Sequence, residues 1–139
     1  MRLSRKDFQR LAQLRAREAS ALSRSRNQQG AYYLAGYAVE CALKSCIAKE
    51  TRRHEFPDRK RAEISHGHNL RELVRAANLE DARLDEAKKD SAFRNNWDTV
   101  QLWSEQSRYR TNRPEVVRSI IEAIGDRNHG ILRWIKRYW

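Results

Sequence analysis

The run AYYLAGYAVECALKSCIAKE, residues 31–50, is apolar almost all the way round a helical wheel and contains no proline. A helix with no wet face must be enclosed by its neighbours, so this segment predicts the central helix of a bundle. With only five Gly and two Pro in 139 residues, breakers of long helices are scarce, and an all-α fold follows. A chain of this length is expected to form one domain, residues 1–139, and to bury roughly two thirds of the surface its unfolded form exposes.

The remaining elements are read from periodicity and capping. Ser4 with Asp7 three residues on resembles a capping box, and Phe8, Leu11, Ala12, Arg15, Ala19 and Leu22 then recur at helical spacing, giving a first helix over about 4–26. Residues 51–68, with their charges, Pro57 and Gly67, predict a long loop holding at most a helical turn. Asn69 and Glu72 open a short helix to about 78, with Leu70, Leu73, Val74 and Ala77 inward. After a polar linker, Phe93, Trp97, Val100, Trp103 and Ser107 share one stripe and predict a helix near 90–107, both tryptophans facing in. Asn112 as N-cap, with Pro114 and Glu115, starts the last helix, where Gly125 and Gly130 predict a kink or break. The sum is an up-and-down antiparallel bundle of four to five helices.

Within this run the stretch YAVECALKSC, residues 37–46, carries two charges, Glu40 and Lys44, at i and i+4. On a surface such a pair is worth only a few tenths of a kcal/mol, about 0.2–0.5, too little to explain charges in a core. With Tyr33 and Tyr37 they continue one stripe of hydroxyls, carboxylate and ammonium. Two readings stand: a stripe paired within the bundle or across a dimer seam, or the lining of a polar cleft that receives a ligand. Buried ion pairs often add little net stability, so both readings look to specificity or binding.

Lys and Arg number 29 against 18 Asp and Glu, a net charge of +11, which makes polyanions the expected partners, nucleic acid ahead of an anionic membrane; the bland reading is a solvated cationic coat. The first helix alone carries eight Lys/Arg against two acids in residues 1–26. Cys41 and Cys46, five apart on one helix, point about 140° apart and cannot bridge, so they read as buried thiols of a reducing cytoplasm. No apolar run approaches a membrane span, and MRLSRKDF lacks the apolar core of a signal peptide, so a soluble cytoplasmic protein with no membrane role is expected.

The ordered set AYYLAGYAVECALKSCIA, HGHNLREL and NWDTVQLWSEQSRY resembles the HEPN family, the higher eukaryotes and prokaryotes nucleotide-binding domain. The resemblance covers about residues 30–110. It implies an antiparallel helical bundle that dimerises and works beside a nucleotidyltransferase-type partner in a toxin–antitoxin or defence system acting on RNA or nucleotides. Many members are metal-independent endoribonucleases whose Arg, followed after four to six residues by a His, stabilises the charged phosphate while the His moves a proton. Arg108 and Tyr109, in SRYR, match the family's RY segment, but no His follows within that spacing and His129 is too distant. Arg61 precedes both His66 and His68 at matching distances, in the loop before the short helix rather than at the motif's usual position. Arg108 and His66 are therefore the candidate catalytic residues, and Tyr33, Tyr37, Glu40, Lys44, Arg61, His68 and Tyr109 the candidate RNA- or nucleotide-binding set. The alternatives are a ribonuclease in its own right and a non-catalytic basic binding module.

A histidine of HGHNL is also expected to pack on the bundle and satisfy a buried carboxylate, Glu40 being the candidate. His54, His66 and His68 lack a recognised metal-ligand spacing, so no metal and no cofactor are predicted. Phosphate loops of the GxxxxGK or GxGxxG type are absent. The C-terminal ILRWIKRYW interleaves aromatics with cations, which suits either base stacking or a core stripe with solvated charges.

Overall fold

A computed structural model describes residues 3–53 and 59–139; the predicted loop's Pro57, and His54, lie outside the described residues. Among the described residues there are eight α-helices and no strand. They are α1 (Arg5–Arg24), α2 (Gln28–Arg53), α3 (Arg59–Ser65), α4 (Leu70–Ala76), α5 (Glu80–Lys89), α6 (Ser91–Val100), α7 (Pro114–Gly125) and α8 (Ile131–Lys136), with a 3-10 turn at Glu105–Tyr109. The all-helical bundle is as expected, with its long segments divided more finely.

α1 begins where the capping box predicts: the Asp7 amide donates to Ser4 Oγ, and the Ser4 amide donates to the Asp7 carboxylate at 2.8 Å. It ends at a tight corner in which Arg26 adopts φ 65° and the Asn27 amide donates back to the Leu22 carbonyl at 2.8 Å. That corner returns the chain antiparallel, and α2 starts at Gln28, ahead of Gly30, because the corner supplies its first turn. α2 then runs through the centre: Ala31, Ala38, Val39, Ala42 and Leu43 have no exposed surface. It extends to Arg53, further than the sequence suggests, and α3 fills part of what reads as loop. The Arg61 guanidinium clasps α3 to α4 by donating from Nε to the Ala76 carbonyl at 2.9 Å.

α4 starts on the Asn69 cap, whose side chain accepts from the Glu72 amide, and ends at Asn78 in the left-handed region, with the Leu79 amide reaching back to the Val74 carbonyl. The stretch taken as a polar linker is α5. Glu80 and Asp81 in its first turn and Lys88 and Lys89 in its last complement the helix dipole, and it meets the core through part-buried Ala82 and Ala87 and the Arg83 guanidinium over Trp97, with no fully buried residue. α6 stops at Val100, earlier than predicted, because the chain turns to lay Trp103 on α2. At Gly36 an added Cβ would sit 2.2 Å from the Trp103 ring, so only glycine admits the indole there. α7 begins on Arg113 rather than Asn112, with Pro114 as its first residue, and the break before α8 falls where the glycines predict it. Phe93, Trp97, Leu73, Ile120, Ile131 and Trp134 close one contiguous core around α2.

Candidate nucleic-acid interface

Glu40 is 2% exposed, yet both of its carboxylate oxygens are engaged. Lys44 donates from Nζ to Oε2 at 3.1 Å, and His68 Nδ1 lies 3.0 Å from Oε1. The His68 Nε2 faces a second carboxylate, Glu105 Oε2, at 3.3 Å. The charges of the central helix are thus paired within the bundle, and the expected histidine is His68, delivered by the approach to α4. The chain Lys44, Glu40, His68, Glu105 links α2, the start of α4 and the 3-10 turn. A buried carboxylate held by two partners escapes the desolvation penalty that would otherwise exclude it.

Along α2 the stripe continues as aromatics. Tyr33 and Tyr37 have ring centroids 6.0 Å apart, and Tyr33 lies 6.1 Å from Trp103. Burial, followed by the Cys41 thiol and the Glu40 charge, pushes the Tyr37 phenol above its ordinary range. Trp103 in turn anchors the 3-10 turn, which Gln29 fastens from the other side by donating from Nε2 to the Ser107 carbonyl at 2.9 Å. Everything beyond those anchors projects outward. Tyr109 is 73% exposed and Arg108 stacks over its ring at 5.0 Å; Arg110 and Arg113 are exposed after it. Tyr109 is also the largest influence raising the Arg108 guanidinium's hold on its proton, ahead of Tyr33 and Glu105.

A groove of about 560 Å³ opens on the other side of Glu40, between the start of α1, α2 and the end of α3. Phe8 and Ile47 give it an apolar wall, and Tyr37, Lys44, Ser65 and His66 a polar one. Cys41 lines it too, but burial pushes its thiol up to about 12, as it does for Cys46, so neither is a nucleophile; both are buried and free, as their spacing suggested. A second groove of about 430 Å³, between α1 and α7, is walled by Ala16, Ala19, Ile121 and Leu132, with Ser20, Glu122 and Asp126 as its polar residues and no cation or histidine in its lining.

The structure therefore brings Tyr33, Tyr37, Glu40, Lys44 and His68 together on one seam, with Arg108 and Tyr109 at its outer end and His66 on the adjoining groove. Arg61 stands apart, its Nε committed to the Ala76 carbonyl. In the C-terminal stripe Trp134 is core, packed on Phe93 at 5.2 Å and Tyr138 at 5.6 Å, while Arg137 pairs with Glu86 and Lys136 lies over Trp139. That stripe is structural. Sequence reading missed Glu105, because a helix continued to 107 gives it no partner, and missed Gly36, whose role depends on a tryptophan 67 positions later. Among the described residues no cluster of His, Cys, Asp or Glu is arranged to hold a metal ion, and no helix is long and apolar enough to cross a membrane. No family model, curated protein or solved structure matches the chain.

Proposed function

We propose that this chain is a HEPN-like bundle that binds single-stranded RNA through the 3-10 turn and the segment after it, as the helical component of a toxin–antitoxin or defence pair. The observation that carries the reading is the exposed Arg108–Tyr109 stack followed by Arg110 and Arg113, held on the polar seam of α2. An exposed ring with one guanidinium stacked on it and others close by in the chain takes a base by stacking and its phosphates by charge, without requiring one sequence. The net charge of +11 adds attraction at long range. The segments quoted for the family resemblance supply the bundle, the seam and this turn. A homodimer and a nucleotidyltransferase-type partner belong to the same reading; Leu102, 78% exposed beside the turn, is an apolar contact open to a second chain.

Binding without cleavage is favoured because no histidine follows Arg108 after four to six residues and because Arg61 is engaged with Ala76. The ribonuclease reading draws on His66, which shares a groove with Tyr37 and Lys44. One experiment addresses both: fluorescence anisotropy with a labelled single-stranded RNA of about 12 nucleotides, in EDTA, followed by gel analysis of the same samples. Tyr109→Ala is expected to weaken binding by about 1–3 kcal/mol, the usual worth of one stacked base. Unchanged affinity in Tyr109→Ala and Arg108→Ala overturns the assignment of the interface, and cleavage abolished by His66→Ala replaces binding with catalysis.

A further inference from the structure

His68 is exposed on one side and faces carboxylates with both ring nitrogens, Glu40 at 3.0 Å and Glu105 at 3.3 Å. A neutral imidazole has one donor nitrogen and one acceptor nitrogen, so it can satisfy only one of the two carboxylates while its acceptor lone pair opposes the other. The imidazolium donates to both. The bridge between α2 and the 3-10 turn is thus complete when both ring nitrogens carry a proton and loses one of its two hydrogen bonds when only one does. We infer that His68 is a positioning residue for the RNA-binding turn, holding Glu105 against the buried Glu40 when protonated and releasing it when neutral; this rests on the RNA reading above.

The charged groups around the ring fit the role. From α2, Glu40 faces it with Lys44 behind, so one carboxylate is shared between two cations. From the turn, Glu105 faces it, and Glu105 is also within the electrostatic reach of Arg108. On its own segment His66 opens instead to the neighbouring groove. Glu105 is the first residue of the five-residue turn that ends at Tyr109, so fixing it adds a third tie, beside Trp103 and the Gln29–Ser107 bond, to the turn that presents Arg108 and Tyr109. Ordering a binding surface before the ligand arrives raises affinity by removing that cost from the binding step.

The test measures two quantities in the wild-type chain, His68→Gln and Glu105→Gln at pH 5.5 and pH 8: amide hydrogen exchange of residues 101–110, each variant against wild type at the same pH, and anisotropy with the single-stranded RNA. The wild-type turn is expected to lose protection at pH 8, with an affinity loss of about two- to fivefold beyond that of His68→Gln, the range of a partly exposed ion pair. Glu105→Gln is expected to lose the pH slope as His68→Gln does, since a carboxamide can accept from a protonated Nε2 or donate to a neutral one. A Glu105→Gln chain that keeps the wild-type pH slope overturns the proposal, because His68 would then act on RNA by its own charge. Protection of the wild-type turn, taken relative to the intrinsic exchange rate at each pH, that is the same at pH 5.5 and pH 8 also overturns it, whatever the RNA does. An intact exchange switch with no RNA bound at either pH instead overturns the RNA reading and leaves the histidine-controlled turn standing.

Discussion

At the scale of single residues, the closest fit in the molecule is Trp103 on Gly36. Helix propensity alone says that alanine in place of a mid-helix glycine stabilises by about 1 kcal/mol. The indole reverses that sign: a Cβ at 2.2 Å from three ring atoms has no room, and the ring cannot move outward without unseating the turn it anchors. Gly36→Ala is expected to lower stability by about 1–3 kcal/mol, the cost of overpacking a filled site. Chemical denaturation checks it, and a gain in stability would mean that Trp103 is not seated as described. None of this was legible in the sequence, where Gly36 reads as one small residue in an apolar run. Glu40 was legible, because a carboxylate in an enclosed helix demands partners, and the i+4 lysine and the histidines of HGHNL are the groups that can answer it.

Among elements, those with fully buried stripes were readable and the one with only part-buried contacts was not. α4 and the cap of α1 follow their signals, whereas α5, with no fully buried residue, has only its end charges to announce it. The corner between α7 and α8 belongs to both kinds. Its glycines predicted a break, and the structure adds what holds it: Asp126 Oδ1 accepts from the amides of Asn128 and His129, Asn96 donates to the His129 carbonyl, and His129 Nδ1 meets Asp90 at 2.6 Å. The hydrogen bond to Asp90 raises the His129 imidazole above its usual value, and the same bond lowers the Asp90 carboxyl. A raised histidine stabilises fully below its unfolded value, about 6.5, and loses that contribution as pH rises through the folded value. A lowered aspartate stabilises above about 3.9 and loses its share as pH falls through the folded value. The pair is therefore strongest between about pH 4 and 6.5. His129→Gln is expected to lower Tm most in that window and progressively less towards pH 9, as followed by circular dichroism; a deficit constant across pH would show that the imidazole contributes shape rather than charge.

For the whole molecule, the bundle was readable because one enclosed helix requires neighbours on every side, while the interface was readable only in part. Charge counted along the chain makes a polyanion the expected partner but does not say where it would sit, since several of the 29 basic side chains are paired within the bundle. Arg61, Arg83, Arg133 and Arg137 donate to carbonyls or carboxylates of the bundle itself. Arg108, Arg110 and Arg113 are exposed on a segment anchored by Trp103, and that difference yields a quantitative expectation. The affinity of a protein for single-stranded nucleic acid falls with salt at a log–log slope of about 0.7 per phosphate neutralised. If each of the three arginines neutralises one phosphate, replacing all three by alanine reduces the slope by about 2, whereas replacing the part-buried Arg61 and Arg83 leaves it unchanged. Anisotropy titrations from low to moderate salt measure it. An equal loss from both sets would mean that RNA is attracted to the cationic coat as a whole, and the turn would then be one edge of a diffuse field instead of the seat of recognition.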